Sequence, residues 1–336
     1  MDYLNALVAL ANFVIIPATA YGSQLALGAL GVTLIYGILR FSNFAHGDTM
    51  AFGAMVTILI TWAMQAAGIS FGPLPTALLA LPFGILGCIA LLLISDRFVY
   101  RFYREQKAKP VILVIVSMGV MFVYNGLIRF IIGPDDQRFA DGERFIISVR
   151  DFKAMTGLKE GLAIKTTQGI TVVVAVIAVL VLFWFLNRTR TGKSMRAYSD
   201  NEDLALLSGI NPERVVMVTW IIVAILATTA GVLYGLDKSY KPFIFLQLLL
   251  PIFAAAIVGG LGNPLGAIAG GFVIAFSEVL VTYAWKKVLG YALPDNLAPD
   301  TLAQLLSTDY KFAVSFGILL IVLLFRPTGL FAGKSV

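Results

Sequence analysis

The sequence predicts an all-α, polytopic membrane protein that forms one membrane domain over residues 1–336. Hydrophobic residues make up 59% of the chain and charged residues only 13%, whereas soluble domains carry about 25% charged residues. Apolar stretches of about twenty residues, long enough to cross a bilayer as helices, recur along the chain. Between two of them, residues 188–213 are polar and carry signals for a short helix on the membrane surface. We therefore expect about ten transmembrane helices and one surface helix.

Ten segments have the composition of membrane spans. No Lys or Arg precedes the first, so it is predicted to be a retained span, although Ala18-Thr19-Ala20 resembles a signal-peptidase site. The eighth and ninth spans form either a tight hairpin or one broken span, because Asn263 and Pro264 between them fit a helix cap and a first helical residue. In order, the predicted spans are 4–20, 24–39, 48–67, 74–95, 110–132, 168–187, 214–236, 243–261, 264–285 and 311–325.

The charges favour a lipid environment. The net charge of +6 comes from dispersed basic residues without an aromatic-basic platform, which suits anionic lipid headgroups and argues against nucleic acid. If residues 188–214 are cytoplasmic, about half of the 25 Lys and Arg residues lie on that side, so the positive-inside rule does not fix the orientation. The 133–167 loop, with equal numbers of acidic and basic residues, is predicted to be an extracytoplasmic, solvated element.

No catalytic, metal or nucleotide site is predicted. The single histidine, His46, and the single cysteine, Cys88, are too few for a zinc site or an internal disulfide. Residues 191–194 and 333–335 end like phosphate-binding loops, but the first glycine of that motif is missing and no strand precedes it. We therefore expect that the protein is not an enzyme and binds no cofactor. If ATP drives transport, another subunit holds the ATP.

Residues 188–213 contain the signals of a capped surface helix. Ser199 and Glu202 fit a capping box, with the serine at the N-cap and the glutamate three residues later. Gly209 is placed to end the helix in a left-handed conformation, and Asn211-Pro212-Glu213 fits the start of the next span. A helix of this kind between two spans docks a partner more often than it catalyses. Its predicted turns contain Leu204, Ala205 and Leu207.

Polar residues also lie at or within predicted spans. Asn43, His46 and Asp48 precede or begin the third span. They form either a connecting turn, in which Asn43 and His46 bond free backbone groups and Asp48 caps the span, or the gate of a translocation path. Glu278 lies inside the ninth span, where an unpaired charge is costly. Glu278 therefore either forms a structural pair or lines the path.

Glycines recur every fourth residue at Gly262, Gly266 and Gly270, on one face of a predicted helix. Small residues let helices approach closely in lipid, where packing drives their association. We therefore expect a close helix–helix contact at these glycines. The alternative is a hinge or broken helix that lines the substrate path.

An ordered set of motifs resembles the inner-membrane permeases of the branched-chain amino acid ABC transporters, in the subfamily of the smaller permease. Each motif alone is weak, but the set covers about residues 22–330 and its order is fairly specific. Asp48 stands where that family commonly has glutamate. The motifs are Tyr36-Gly37-Ile38-Leu39 with 43–47, Gly192 to Gly209, 259–271 with Glu278 downstream, and Arg326-Pro327-Thr328-Gly329-Leu330.

The resemblance implies a subunit of an importer in the bacterial inner membrane, with a second homologous permease, two cytoplasmic ATPase subunits and a periplasmic binding protein. Residues 188–213 would then be the coupling loop that fits a groove on the ATPase. Leu204 and Leu207 would be its apolar anchors, and Arg196 and Glu202 its polar rim. Relatives of this kind carry branched-chain amino acids, other amino acids, or urea and short amides.

The alternative function is a self-sufficient secondary transporter or channel for small polar solutes. Such a protein should place several ionisable residues within its spans for ion coupling. Glu278 is nearly alone there, and this alternative gives no reason for a capped surface helix after Arg196.

Overall fold

A computed structural model describes residues 2–139, 144–292 and 301–331. The predicted motif at 333–335 lies outside these residues. Within them the chain is helical apart from one antiparallel pair of strands, β1 (Phe145–Ile147) and β2 (Ile164–Lys165), which confirms the predicted fold class. In chain order the helices are α1 (Asp2–Leu39), α2 (His46–Ala66), α3 (Ala77–Glu105), α4 (Pro110–Ile132), α5 (Val149–Thr156), α6 (Thr166–Arg188), α7 (Arg190–Asp200), α8 (Glu202–Leu207), α9 (Pro212–Asp237), α10 (Ile244–Gly259), α11 (Pro264–Thr282), α12 (Lys286–Ala292) and α13 (Lys311–Phe325).

Eight helices in the described ranges are long and apolar enough to cross a membrane. They are α1, α2, α3, α4, α6, α9, α11 and the segment Thr308–Phe325, in which a 3₁₀ turn leads into α13. α10 is equally apolar but has only 16 residues. The chain is therefore a multi-pass membrane protein, and α10 with α11 forms the hairpin that the sequence left open.

The predicted first and second spans are wrong as separate elements. Residues 2–39 form one helix of 38 residues, with a π-helical segment at Ala11–Ile15. The predicted break around Gly22 is a packing position: a Cβ there would lie 2.7 Å from the ring of Phe272 on α11. A glycine that makes room for a neighbouring helix does not interrupt its own helix.

α1 is the centre of the helix bundle. It packs against α11, α9, α10 and α6, and nearly every residue between Ala18 and Leu39 is buried. α9 is also largely buried, whereas α6 and α13 leave most of their apolar surface uncovered. α1 and α9 thus form the core, and the outer helices present surface to lipid or to another subunit.

The helix connections lie at two ends of the bundle. At the end that we call the loop end, the Arg40 side chain contacts Ser199. At the opposite end, the far end, a backbone bridge joins Gln137 to Tyr240. The loop end comprises 40–45, 106–109, 189–211 and 260–263, and the far end comprises 67–76, 238–243 and the described parts of 133–165 and 283–307.

Candidate coupling loop and buried polar groups

The polar segment at the loop end folds as two short helices rather than one. α7 begins after Thr189, whose Oγ1 accepts a hydrogen bond from the Gly192 amide at 3.0 Å. α8 begins after Asn201, whose Oδ1 accepts a hydrogen bond from the Leu204 amide at 3.0 Å. The capping box predicted at Ser199 is therefore wrong. Ser199 lies in the last turn of α7, and Asn201 has the extended backbone that an N-cap residue adopts.

Glu202 joins the two helices by a bond that the sequence did not predict. Its Oε1 accepts a hydrogen bond from the Tyr198 hydroxyl at 2.6 Å. Burial, and next the bond to Glu202, raise the pKa of Tyr198 well above its usual value. Tyr198 therefore remains a protonated donor, and the angle between α7 and α8 is held by a side chain from each.

The predicted end of the surface helix and the start of the next span are confirmed. Gly209 has a φ of +78°, the left-handed conformation that glycine adopts most readily. Asn211 accepts a hydrogen bond from the Arg214 amide at 3.2 Å, and Pro212 is the first residue of α9. These three residues fix how α8 leads into α9.

α8 turns its leucines outward. Leu204 is 61% exposed and Leu207 is 85% exposed, whereas Ala205 is buried. Leu206, which the sequence analysis did not single out, is also exposed. The Arg196 side chain lies on the exposed face of α7 beside a cleft of about 380 Å³ that Asn263 also lines. Among the predicted coupling residues, Leu204, Leu207 and Arg196 are thus exposed, whereas Ala205 is not.

A buried acid ties this loop end to α9. Asp96 lies in a π-helical segment of α3, a local structure that is frequent at functional sites. Its Oδ1 accepts a hydrogen bond from the Trp220 indole at 2.8 Å, and the Arg104 guanidinium pairs with the same carboxylate. Arg104 also reaches Glu213 in the first turn of α9 at 3.4 Å. Sequence reasoning missed this network, although an Asp in an apolar run is a signal for it.

The turn before α2 confirms only part of the predicted connecting turn. Asn43 Oδ1 accepts hydrogen bonds from the Ala45 amide at 3.1 Å and from the Tyr100 hydroxyl at 3.2 Å, so Asn43 stabilises the turn as predicted. The His46 ring is fully buried beside Gly28 and Gly31 of α1, and neither ring nitrogen makes a hydrogen bond of ordinary geometry. The prediction that His46 bonds a free backbone group is not met by its side chain.

Asp48 does not cap α2 with its side chain, which corrects that prediction. Its Oδ1 accepts a hydrogen bond from the Asn125 side chain of α4 at 3.0 Å, and its Oδ2 has no hydrogen-bond partner. Asp48 faces a neighbouring helix because the N-terminus of α2 lies inside the protein. Such a half-satisfied buried carboxylate is uncommon and calls for a physical explanation.

Glu278 is buried at the contact of three helices. Its Oε1 accepts a hydrogen bond from the Ser315 hydroxyl of α13. Its Oε2 has no hydrogen bond of ordinary geometry, although the Tyr21 hydroxyl of α1 lies near it. Lys311 provides the nearby positive charge and lies over the Tyr21 ring, with 5.5 Å from Nζ to the ring centroid. Glu278 is therefore held through one oxygen by Ser315, with Lys311 nearby.

Two of the three predicted packing glycines form a close helix contact. A Cβ at Gly266 would overlap the carbonyl of Gly259, and a Cβ at Gly270 would overlap that of Ala255, so α10 and α11 meet backbone to backbone. Gly262 does not belong to this contact, which corrects that prediction. It lies in the turn with a φ of +83° and open space around it. Its role is conformational, because the turn must reach the Asn263 cap.

Asn263 confirms the predicted start of α11 and also binds the segment that follows α13. Its Oδ1 accepts hydrogen bonds from the amides of Leu265 at 3.1 Å and Gly266 at 3.2 Å. Its Nδ2 donates to the Phe331 carbonyl at 2.9 Å, and the Leu330 amide donates to the Val258 carbonyl at 2.8 Å. One side chain therefore caps the helix and latches the segment that follows α13.

The far end contains a second polar cluster. Glu160 pairs with Lys287 at 2.8 Å, accepts a hydrogen bond from the Tyr291 hydroxyl at 2.8 Å, and its amide donates to Asn5 at 3.0 Å. Burial raises the pKa of Glu160, but the bonds to Lys287 and Tyr291 outweigh it, so the pKa is lowered overall. This cluster joins the start of α1 to α12 through the loop before β2.

Comparison with known proteins places the sequence among transport permeases. The model of a family described as a branched-chain amino acid transport system permease component matches residues 14–323. The chain is 30% identical, over 94% of its length and 93% of the relative's, to the high-affinity branched-chain amino acid transport system permease protein LivH of Salmonella typhimurium. It is 28% identical to the protein BraD of Pseudomonas aeruginosa, with 94% of each chain covered. It is 29% identical to a probable LivH of Methanocaldococcus jannaschii, with 81% of this chain and 82% of that one covered.

Proposed function

We propose that this chain, which belongs to the branched-chain amino acid transport permease family, forms the membrane path of an ATP-driven importer for branched-chain or related amino acids. It works in the bacterial inner membrane beside a second homologous permease. A periplasmic binding protein delivers the substrate to the far end, and two ATPase subunits bind at the loop end. The family description of a permease component gives no support to a self-sufficient transporter.

The exposed leucines of α8 carry this proposal. Leu204 and Leu207 lie on a surface helix between two spans. Exposed apolar side chains there do not stabilise the fold of the single chain, so they indicate a contact with a partner. Apolar anchors surrounded by polar residues are typical of a docking site, and Arg196 and Glu202 lie within the same loop. α8 is therefore the element that we expect to enter a groove on the ATPase.

The loop is built to move as a unit with the spans next to it. α7 follows α6 directly, and α8 leads into α9 through Gly209 and Asn211. The bond between Tyr198 and Glu202 holds the two short helices together. Closure of the ATPases on ATP therefore displaces α7 and α8 together and tilts α6 and α9. This chain contributes no ATP chemistry in the proposal, because ATP and Mg²⁺ are held by the partner subunits.

The half-satisfied buried groups support a path through the interior of the bundle. Asp48 keeps one oxygen without a hydrogen bond, and one oxygen of Glu278 and both ring nitrogens of His46 make none of ordinary geometry. Leaving such groups unsatisfied costs free energy, which a conformation that admits water or substrate recovers. Asp48, Glu278, His46 and the neighbouring Asn43 are our candidates for the path and its gate.

Replacing both anchors tests the proposal. The double substitution Leu204→Asp plus Leu207→Asp puts two charges into the apolar contact, and we expect it to reduce substrate uptake by 100-fold or more. It should also abolish co-purification of the ATPase from native membranes in mild detergent. Both side chains are exposed, so membrane insertion and thermal stability should remain at the wild-type level.

A matched control uses two exposed leucines of the far end, Leu302 and Leu305. The pair Leu302→Asp plus Leu305→Asp adds the same charge, and the ATPase should still co-purify with it. Wild-type uptake by the Leu204 and Leu207 variant would exclude α8 as the coupling element. A wild-type chain that purifies alone and transports when reconstituted by itself would exclude the importer as a whole.

A further inference from the structure

Arg40 has an unusual backbone for its residue type. It follows the last residue of α1 with a φ of +56° and a ψ of +29°, and its amide donates to the Tyr36 carbonyl at 3.1 Å. Glycine is the usual residue at a left-handed helix end, because a Cβ is crowded there. A backbone strained in this way at a side chain with a specific contact motivates a functional hypothesis.

The side chain of Arg40 leads directly to the coupling loop. Its Nη2 donates to the Ser199 carbonyl at 2.7 Å, in the last turn of α7. A Cβ at Gly37, one turn earlier in α1, would lie 3.3 Å from the Ser199 Oγ. The end of α1 and the end of α7 therefore touch at Ser199, and the Arg40 guanidinium is the charged group that joins them.

The bond between Arg40 and the end of α7 is electrostatically favourable. A helix C-terminus carries partial negative charge on its free carbonyls, and a guanidinium stabilises that charge. The Arg40 side chain thus caps the C-terminus of α7, and the Arg40 backbone terminates α1. Unlike α6 and α9, α1 is not adjacent to the coupling loop in the sequence. The bond from Arg40 to Ser199 therefore gives α1 a direct contact with that loop, in addition to its packing against α6 and α9.

We propose that Arg40 is a positioning residue that transmits displacement of α7 to α1, the central helix of the bundle. This inference rests on the proposed function, because it needs ATPases that displace the loop. The left-handed backbone directs the guanidinium at α7, and the hydrogen bond to Ser199 makes α1 follow. Movement of α1 is then linked to ATP hydrolysis through Arg40.

The substitution Arg40→Gly separates this role from a structural one. Glycine adopts the left-handed backbone without a Cβ, so folding should be retained, while the bond to Ser199 is lost. We expect the complete transporter in proteoliposomes, with its ATPases and binding protein, to hydrolyse ATP at a rate within threefold of wild type. The number of substrate molecules imported per ATP should fall at least tenfold.

Two further variants test whether a lower import ratio is caused by loss of the Arg40 guanidinium. Lys107→Gly makes the same kind of change at another positive-φ residue of the loop end (φ +50°), and it should leave the import ratio unchanged. Arg40→Asn keeps a residue that tolerates the left-handed backbone and is stiffer than glycine, but its side chain is too short to reach α7. It should lower the ratio as Arg40→Gly does.

Different outcomes test the role of Arg40 and the proposed function separately. A normal import ratio in Arg40→Gly, or a defect in Arg40→Gly that Arg40→Asn does not share, overturns the role of the guanidinium. A wild-type complex that shows no ATP-dependent uptake at all overturns the proposed function instead. A ratio that falls in both Arg40 variants and not in Lys107→Gly supports the inference.

Discussion

The glycine contact between α10 and α11 and the candidate coupling loop at 188–213 are held together in opposite ways. In the first, backbone meets backbone at Gly266 and Gly270, and no room is left for an added side chain. In the second, Thr189 and Asn201 each accept one backbone hydrogen bond that starts a helix, and leucines face outward. The comparison teaches that the hairpin depends on the space around its glycines, whereas the loop leaves apolar side chains available for contact with a partner.

The largest expected effect comes from filling the space in the hairpin. In Gly266→Leu the new side chain collides with the Gly259 carbonyl, which cannot move without separating the two helices. We expect a loss of about 3 kcal/mol or more in the free energy of unfolding, since overpacking a rigid contact forces the backbone to shift. Thermal unfolding in detergent measures it.

Gly119→Leu is the matched control for this prediction. Gly119 also lies in a membrane-spanning helix, α4, but a Cβ there meets no atom within 4 Å. The same substitution should leave the melting temperature unchanged or raise it, because leucine has the higher helix propensity. Equal melting temperatures for the Gly266 and Gly119 variants would show that the α10–α11 contact is not tight.

A smaller effect is expected from removing a cap in the loop. Asn201→Ala removes the acceptor for the Leu204 amide and should destabilise α8 by about 1 kcal/mol. Global stability should hardly change, while ATP-driven uptake should fall severalfold because α8 loses its orientation. Ser199→Ala should leave uptake near wild type, because the Ser199 carbonyl remains. The opposite ranking of the two variants in uptake assays would restore the capping box at Ser199.

The smallest effect concerns the far end and depends on pH. The folded-state pKa of Glu160 is lowered, so its pairing with Lys287 stabilises the protein above the ordinary carboxyl pKa. That contribution is lost as the pH falls through the lowered pKa. Because Lys287 is half exposed, we expect less than about 1 kcal/mol. The melting temperatures of wild type and Glu160→Gln should differ at pH 7 and converge in acid. A constant difference across this range would assign the stabilisation to something other than the charge.

Sequence reasoning succeeded where a side chain acts on its own neighbours. Gly209, Asn211 and Asn263 have the conformations and cap bonds that their positions predict, because capping is settled within three residues of the chain. It failed where two local signals compete. Ser199 and Asn201 both qualify as caps, and α7, which contains Ser199, has too polar a sequence to be recognised as a separate helix.

Contacts between distant segments could not be predicted from the chain. Gly22 and Gly262 have the same residue type, yet one makes room for Phe272 and the other adopts a positive φ in a turn. The pairing of Asp96 with Trp220 and of Arg40 with Ser199 depends on how the helices pack. The roles of the coupling-loop and path residues remain predictions, because contacts within one chain do not reveal what a partner binds.

The continuous 38-residue α1 has a mechanical consequence. At 1.5 Å per residue it is about 57 Å long, nearly twice the thickness of the hydrocarbon layer. It is thus long enough to extend beyond both sides of that layer, with Arg40 next to one tip and Asn5 near the other. A tilt of about 5° around the Arg40 tip displaces the other tip by about 5 Å. A small rotation at the loop end therefore becomes a large displacement at the far end, where Asn5 holds the Glu160 loop.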